Sequence, residues 1–182
     1  MDGSVPTTNS QAYTGLISTG EGKVEVAAMS YDPTTQKSSP VTAESFDISR
    51  KDWKVVSDLD GNVAQVIDGD PNTYWHHAED KQLPVDIVID LGKEEELIGF
   101  RYLPDQRLWS SGIITEYEFY ISLDSKNWKS VSQGEFSNIN NNPLWQSKEF
   151  APVQARYIKL TALKNTQNNN SAGYAEIDVM TK

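Results

Sequence analysis

Residues 65–77, with the sequence QVIDGDPNTYWHH, constrain the fold more than any other stretch. Asp68 and Asp70 flank Gly69, which lets the backbone turn back on itself, and Thr73 follows three residues later. The two carboxylates and the hydroxyl can therefore converge with main-chain carbonyls on one point. Such oxygen-only donors suit a hard cation such as Ca²⁺, with about six to eight oxygen ligands, better than zinc. The alternative is a turn closed by its own hydrogen bonds without an ion.

Charge and cysteine content narrow the function class. The 182 residues carry a net charge of −10, so the chain lacks the basic surface that nucleic acids and anionic membranes attract. Cysteine is absent, which rules out a disulfide framework, a thiolate nucleophile and Cys-ligated zinc. With two His and no Gly-x-Ser-x-Gly elbow, a nucleophilic triad is not readily built. We therefore expect no nucleic-acid partner and no membrane partner.

Alternating hydrophobicity predicts an all-β fold from Trp53 onward. Segment 84–91 places four aliphatic side chains on one face, and segments 96–103 and 114–121 behave similarly. Residues 124–127, with the sequence DSKN, form a turn between two strands. No segment shows a helical period longer than a turn or two. Short, regularly spaced strands separated by turns predict a two-sheet β-sandwich.

The first 48 residues are a separate compositional unit, rich in Ser, Thr, Gly and Pro. Segment 23–31 alternates as a strand. Residues 2–7 and 10–15 resemble part of the small β-sandwich at the C-terminus of chitobiases and β-hexosaminidases, without its opening strands. This resemblance implies a short β-rich remnant over residues 1–48 that is loosely packed or rests on a second domain, residues 49–182. A flexible Ser/Thr-rich linker is the alternative.

Four segments resemble discoidin-type (coagulation-factor type C) domains, and in particular bacterial family 32 carbohydrate-binding modules. They occur in the order of that family and are residues 66–76, 117–128, 155–160 and 174–179. The resemblance covers about residues 50–182. It implies a discoidin-like jelly-roll β-sandwich of about eight main strands.

The same resemblance implies a structural Ca²⁺ ion held by oxygen atoms from two parts of the chain. The implied ligands are Gln65 (carbonyl), Asp68 and Asp70 (side chains), Thr73 (hydroxyl and carbonyl), Ala175 (carbonyl) and Glu176 (carboxylate). The ion would tie the last strand to the 65–77 turn. Three carboxylates without a cation would repel one another, so the ion is expected to stabilise the fold.

A sugar site in the loops beside this turn is also implied by the resemblance. Rings stack on the apolar face of a pyranose, and planar polar groups pair with its hydroxyls. His76 stands at the position of the galactose-binding His, but Asp105 stands where galactose binders carry an Arg. Arg107 and Trp109, in the same loop, could replace the lost contacts by bidentate hydrogen bonding and stacking.

Two further residues complete the predicted ligand-binding set. His77 is either a ligand contact or an exposed loop residue, and Trp145 is either an aromatic at the sugar site or a cover over the sandwich end. Trp53, Trp75 and Trp128 are expected in the core or at its ends rather than at the sugar.

The resemblance implies a non-catalytic carbohydrate-binding module that tethers a larger exported bacterial glycosidase, chitobiase/hexosaminidase-like or fucosidase-like, to glycans. The expected ligand is a terminal sugar of galactose or N-acetylhexosamine type, and the module is expected to be a monomer joined to a catalytic domain. The chain shows no signal peptide and no apolar bilayer-spanning segment, so an extracellular, cell-surface or periplasmic location would follow from the parent chain. Two alternatives are an adhesion or protein-docking domain without sugar affinity, and a glycosidase with paired carboxylates.

Overall fold

The structure is a computed structural model that describes residues 4–15, 17, 23–77, 80–108 and 110–182. The chain divides into two compact units, Met1–Ser49 and Arg50–Lys182. Within the described residues, the regular elements are twelve β-strands and one short 3₁₀ helix, Val63–Ile67. The predicted all-β fold is therefore confirmed. None of the helical turns within these ranges has the length and apolar character needed to cross a membrane.

The first unit contains two small antiparallel pairs of strands. Strand β1 (Val24–Ala28) pairs with β4 (Thr42–Phe46), and between them β2 (Tyr31–Asp32) pairs with β3 (Lys37–Ser38). The side chains of β4 are all exposed. The strand predicted over residues 23–31 is thus interrupted after β1. Asp2 and Gly3 of the predicted chitobiase-like motif lie outside the described residues.

The second unit is built on six strands that form one hydrogen-bonded network, with a separate short pair. The order of the network is β12-β7-β10-β8-β9, and β5 pairs with β7. The separate pair consists of β6 and β11. Their bounds are β5 Lys54–Val55, β6 Trp75–His77, β7 Val85–Leu103, β8 Ile114–Ser122, β9 Lys129–Glu135, β10 Gln146–Asn165, β11 Ala172–Tyr174 and β12 Glu176–Thr181.

The two long strands, β7 and β10, each belong to both layers of a sandwich. Their pairing changes register in the middle, so residues 85–90 pair with 157–162, and residues 95–102 pair with 146–155. Strands β5 and β8 flank the first pair of halves, and β9 pairs with β8, whereas β12 flanks the second pair of halves. This gives one layer of five strand segments and another of three. The total of eight agrees with the predicted number of main strands.

Aromatic rings fill the space between the two layers. Phe100, from the three-stranded layer, stacks on Phe119, from the five-stranded layer, with ring centroids 4.0 Å apart and planes 3° apart. Tyr117 stacks on Phe136 at 4.4 Å. All four rings are buried. Because burial of such large apolar surfaces supplies most of the favourable folding free energy, these rings hold the layers together.

The residues predicted to face the core largely do so. The aliphatic side chains of the first half of β7 are buried, as the alternation predicts: Val85, Ile87, Ile89 and Leu91. Trp53 and Trp75 are also buried. Trp128 is half-buried and contacts the ammonium of Lys159, whose Nζ lies 5.0 Å from the ring centroid.

Several loops are joined at one end of the sandwich, which we call the tip. The buried Tyr102 hydroxyl donates to the carbonyl of Gly173 at 2.7 Å and accepts from the amide of Ile114 at 3.3 Å. The amide of Gly112 donates to Oε1 of Gln167 at 3.0 Å. Gly112 has φ +77°, and a Cβ there would lie 2.9 Å from the backbone nitrogen of Ala172. Glycine is therefore required where the 104–113 loop passes β11.

Replacing Phe100 with Ala tests the stacking between the layers. We expect the free energy of unfolding to fall by about 3–5 kcal/mol, because the change leaves a cavity between β7 and β8. Chemical denaturation followed by tryptophan fluorescence measures this loss. Leu123→Ala is the control, since Leu123 is exposed and its truncation should change stability by less than about 0.5 kcal/mol. Equal effects of both substitutions would contradict the assignment of Phe100 to the core.

Candidate functional site

The 65–77 turn lies against the first residue of the last strand. Gly69, with φ +81°, directs its amide to Oε1 of Glu176 at 2.8 Å. Within the turn, Asp68 accepts from the Thr73 hydroxyl at 2.9 Å and from the amide of Asp70 at 2.9 Å. Glu176 is only 1% exposed. Residues 107 positions apart in sequence therefore share one oxygen-rich site.

The carboxylate of Asp70 is hydrogen-bonded within the turn itself. It accepts from the amide of Asn72 at 2.9 Å and from Nδ2 of Asn72 at 2.8 Å, while the carbonyl of Asp70 accepts from the Thr73 hydroxyl at 3.0 Å. The backbone hydrogen bond from Asn72 is the main cause that lowers the pKa of Asp70. Over the part of the chain that the structure describes, no three His, Cys, Asp or Glu side chains gather as a metal site. The predicted cluster of three carboxylates is therefore reduced to Asp68 and Glu176.

The two residues implied as carbonyl donors adjoin the turn and the last strand in the chain. Gln65 belongs to the 3₁₀ helix that leads into the turn. Ala175 is buried between β11 and β12, and its amide donates to the carbonyl of Leu103 at 2.9 Å. Together with Asp68, Thr73 and Glu176, these groups would form a donor set made only of oxygen atoms. This donor chemistry fits a hard cation.

Arg50 is a member of this junction that sequence reasoning missed. Its guanidinium donates to Oε2 of Glu176 at 2.5 Å and pairs with Oδ2 of Asp178 at 2.8 Å. Burial raises the pKa of Glu176 to about 7 and the neighbouring Asp68 raises it too, whereas Arg50 opposes both effects. No local pattern marks Arg50, since it lies 126 residues before Glu176.

Strand β6 divides its side chains between two faces. Trp75 is buried, donates from Nε1 to the carbonyl of Asp60 at 2.8 Å, and packs against Tyr174 with ring centroids 5.7 Å apart. Tyr74 and His76 lie on the opposite face, with edge-to-face rings 5.7 Å apart. The alternation of a strand thus brings Tyr74 beside the predicted ligand residue His76.

Arg107 and Asp105 complete a four-residue group with Tyr74 and His76, which we call the tip cluster. Nε2 of His76 lies 2.6 Å from Oδ2 of Asp105. Arg107 donates from Nε to the same oxygen at 2.9 Å and from Nη2 at 2.6 Å, and its amide donates to Oδ1 at 3.0 Å. The guanidinium lies over the Tyr74 ring, 3.5 Å from its centroid. The side chain of Arg107 is 49% exposed, so one part of this fixed cation faces solvent.

Asp105 is the buried anchor of the tip cluster. It is 2% exposed. Burial raises the pKa of Asp105, but the hydrogen bonds from Arg107 and His76 outweigh it and lower the pKa to about 2. An ionised carboxylate only accepts hydrogen bonds, so Nε2 of His76 carries the hydrogen in this contact. Sequence reasoning noted Asp105 as a departure from galactose binders but did not assign it to the site; its Asp-x-Arg spacing is the available signal.

The other predicted ligand-binding residues within the described ranges, His77 and Trp145, have different contacts. His77 is on the Trp75 face of β6, and its Nε2 lies 3.3 Å from the carbonyl of Gln82. Trp145 is half-buried, with the guanidinium of Arg101 4.7 Å from its ring centroid. Trp109 lies outside the described residues. Of the predicted set, the structure thus brings His76 and Arg107 together.

Comparison with known proteins identifies the family to which this architecture belongs. The family profile of the F5/8 type C domain matches residues 35–177. A sialidase from Micromonospora viridifaciens is 33% identical over 125 residues, which are 66% of this chain and 19% of the sialidase. The chain therefore spans about a fifth of that relative's length.

Two solved modules from Clostridium perfringens have the same fold. CBM32-3, from a family 31 glycoside hydrolase, is 34% identical with a TM-score of 0.63, covering 72% of this chain and 92% of that module. A CBM32-5 module in complex with GalNAc-β-1,3-galactose is 25% identical with a TM-score of 0.60, covering 87% of this chain and 95% of that module. These similarities confirm the predicted discoidin-like β-sandwich.

Replacing Asp105 with Asn tests the electrostatic role of this residue in stability. The folded pKa of about 2 lies below the unfolded value of about 3.9, so the contribution is present above about pH 4 and is lost as the pH falls to 2. At pH 7 we expect Asp105→Asn to lower the free energy of unfolding by up to about 2 kcal/mol. Urea denaturation at pH 7 and pH 2.5 measures the difference.

The control for this experiment is Asp58→Asn, since Asp58 is exposed. It should change stability little at either pH. A loss for Asp105→Asn that is equally large at pH 2.5 would show that side-chain packing, and not the charge, stabilises the loop.

Proposed function

We propose that this chain, which belongs to the F5/8 type C (discoidin) domain family, is a carbohydrate-binding module that holds a terminal sugar at the tip cluster. The observation that carries the proposal is the Arg107 guanidinium, which is fixed by Asp105, stacked on Tyr74 and half exposed. A CBM32-5 relative, 25% identical, was solved with a disaccharide of N-acetylgalactosamine and galactose. The proposed ligand is accordingly a terminal sugar of galactose or N-acetylhexosamine type.

The tip cluster provides a preorganised donor for sugar hydroxyls. Galactose binders of this family carry an Arg at the position of Asp105. Here the carboxylate of Asp105 is saturated by Arg107 and His76, so the ligand would meet the guanidinium of Arg107 and the exposed edge of His76. Arg107 is held before the ligand arrives, so little side-chain entropy is lost on binding. A shallow site still buries little ligand surface, which limits the affinity of a single module.

The charge state of the tip cluster favours ligand binding over glycoside hydrolysis. A glycosidase needs one carboxylic acid that retains a proton near neutral pH and a second carboxylate across a cleft. The pKa of Asp105 is lowered to about 2, so this residue has no proton to donate at neutral pH. The carboxylates of Asp68 and Glu176 belong to the junction between the turn and β12.

A bound Ca²⁺ ion at that junction is part of the proposal. Asp68, Thr73 and Glu176, with the carbonyls of Gln65 and Ala175, would hold it. When bound, the ion supplies positive charge that offsets the repulsion between the two carboxylates. Its effect on the sugar site would be indirect, since the last three residues of the 65–77 turn form β6, which carries His76.

We further propose that the module is a monomer joined to the catalytic domain of an exported bacterial glycosidase. The similarity to part of a sialidase and to a module of a family 31 glycoside hydrolase supports this setting. An extracellular, cell-surface or periplasmic location follows from it. A weak module attached to an enzyme raises the local concentration of substrate, so tethering compensates for modest affinity.

A protein-docking function is the second candidate, and the exposed leucine beside Arg107 favours it. Leu108 is 83% exposed at the tip. An exposed apolar side chain next to a fixed Arg resembles the centre of a protein interface. A glycan array separates the candidates, because sugar binding supports the carbohydrate-binding module and silence on the array with capture of a protein partner supports docking.

Replacing Arg107 with Ala tests the sugar site. We expect affinity for the bound sugar to fall at least about tenfold, since a charged hydrogen bond contributes about 1.5–3 kcal/mol. Isothermal titration with sugars identified on the array measures the loss. Arg156→Ala is a matched control because Arg156 also pairs with one carboxylate, that of Asp90, through Nε and Nη2 at 3.0 and 3.1 Å.

Arg107→Lys separates binding from folding. It retains a positive charge near Asp105 but lacks the planar fork, so we expect a stable protein with weakened sugar binding. Undiminished affinity in both Arg107 variants would reject the tip cluster as the sugar site.

Removing calcium tests the proposed ion. We expect a chelator to lower the thermal unfolding midpoint by about 5–10 °C, because a ligand at about a hundred times its Kd stabilises the folded state by about 2.7 kcal/mol. Asp68→Asn should reduce this response. Differential scanning calorimetry with and without added calcium measures it. An unchanged midpoint would indicate that Arg50 alone compensates the carboxylate charge.

A further inference from the structure

Gly173 is the middle residue of β11 and lies opposite His76 of the tip cluster, in the pairing of β11 with β6. Its backbone φ is outside the left-handed region, so the conformation of the chain does not by itself require glycine here. A Cβ at this position would lie 2.8 Å from Nε2 of His76 and 2.9 Å from the carbonyl oxygen of Ser111. Non-bonded contacts of carbon are most favourable at about 3.5–4.0 Å. Any side chain at position 173 would therefore displace one of these two groups.

The backbone of Gly173 is fixed, so it cannot move aside for an added methyl group. Its amide donates to the carbonyl of Gly112 at 2.8 Å, and its carbonyl accepts from the buried Tyr102 hydroxyl at 2.7 Å. Ser111 presents a backbone carbonyl directly before Gly112, in the segment that the first of these hydrogen bonds holds against β11. His76 presents the end of a side chain, which can rotate about its χ angles. The imidazole is therefore the group that would give way.

Nε2 of His76 is also the atom that joins β6 to the 104–113 loop. It lies 2.6 Å from Oδ2 of Asp105 and 3.2 Å from Nη2 of Arg107. To reach an ordinary contact with a methyl group at position 173, Nε2 would have to move by roughly 0.7 Å. N–H···O hydrogen bonds lie at about 2.7–3.2 Å, so a displacement of this size is enough to break the contact with Asp105. Arg107 would stay in place, because its Nε, Nη2 and amide all donate to the Asp105 carboxylate.

We propose that Gly173 is a positioning residue of the sugar site, because the missing side chain at this position lets the His76 imidazole lie against β11 with Nε2 on Asp105. This inference rests on the proposed sugar site at the tip cluster, and it adds a residue that acts through His76 without contact with the ligand. Since Nε2 is occupied by Asp105, Nδ1 is the ring nitrogen that remains for a sugar hydroxyl. Gly173 therefore controls whether His76 contributes to binding.

The test is a double-mutant cycle of Gly173→Ala and His76→Ala. Isothermal titration with galactose, N-acetylgalactosamine and GalNAc-β-1,3-galactose measures the affinity of each variant for the sugar that the wild type binds most tightly. We expect each single variant to bind this sugar about fivefold more weakly, which corresponds to the loss of one neutral hydrogen bond. Adding Gly173→Ala to His76→Ala should change the affinity by less than about twofold, because no imidazole remains to be displaced.

Histidine NMR gives a second readout, which a purely structural role of Gly173 would not change. At alkaline pH, where imidazoles are neutral, long-range ¹H–¹⁵N spectra of the wild type should show His76 with its hydrogen on Nε2. In Gly173→Ala this preference for one tautomer should be lost. His77 is the internal reference, since its ring lies on the Trp75 face of β6 and its signals should not change.

Gly99→Ala is the matched control for a general loss of stability. Gly99 is likewise a buried strand residue outside the left-handed region, and a Cβ there would lie 2.6 Å from the carbonyl oxygen of Lys148. Its partners across the sheet are Glu149 and Met180, which do not belong to the tip cluster. We expect Gly99→Ala to lower the thermal unfolding midpoint, but to leave the sugar affinity within about twofold and the His76 signals unchanged.

The outcomes separate the role of Gly173 from the proposed function. Undiminished affinity and unchanged His76 signals in Gly173→Ala would overturn the inference, and so would losses that multiply in the double variant. If Gly173→Ala does not fold, the double variant decides, because removal of the imidazole should restore a folded protein. A double variant that also fails to fold would overturn the inference, since the methyl group would then clash with Ser111. No binding of any of these sugars by the wild type would reject the proposed function itself, and with it the role of Gly173 in binding.

Discussion

The Glu176 carboxylate is the contact on which the arrangement of the tip depends. It accepts from the amide of Gly69 and from the guanidinium of Arg50, and so joins the 65–77 turn to the start of β12. The last three residues of this turn form β6, and β11 precedes β12, so this one buried side chain connects the segments that carry both strands of the short pair. A buried carboxylate is costly unless it is paired, and its partners come from distant parts of the chain. The junction therefore couples the closure of the sandwich to the position of His76.

The tip cluster shows how a guanidinium can reach a site from a different residue of the same loop. Asp105 stands where galactose binders carry an Arg, yet the cation is present because Arg107 turns back onto Asp105. The buried carboxylate determines the direction of the guanidinium, and Tyr74 supports its plane. The substitution changes which residue carries the charge and adds an internal ion pair. Because the pair is internal, the cluster presents donors to a ligand without a large net charge.

Local patterns predicted the strands well, and distant pairings poorly. Alternation identified the buried face of β7 because a period of two depends only on neighbouring residues. Glu176 was placed beside the 65–77 turn by resemblance, but Arg50 was missed, since no local signal links positions 126 residues apart. The direction of Asp70 depends on the Asn72 hydrogen bonds, which a motif does not specify. The position of the Trp145 ring likewise depends on its contact with Arg101, which lies on the neighbouring strand.

The charge distribution favours uncharged glycans at the tip cluster. The chain carries a net charge of −10, which repels anionic polysaccharides over distances up to about a Debye length. In the tip cluster, Arg107 is balanced by Asp105. No local excess of positive charge therefore offsets the repulsion there. Neutral sugars are insensitive to this field, so in the proposed function hydroxyl recognition by the guanidinium is the source of selectivity.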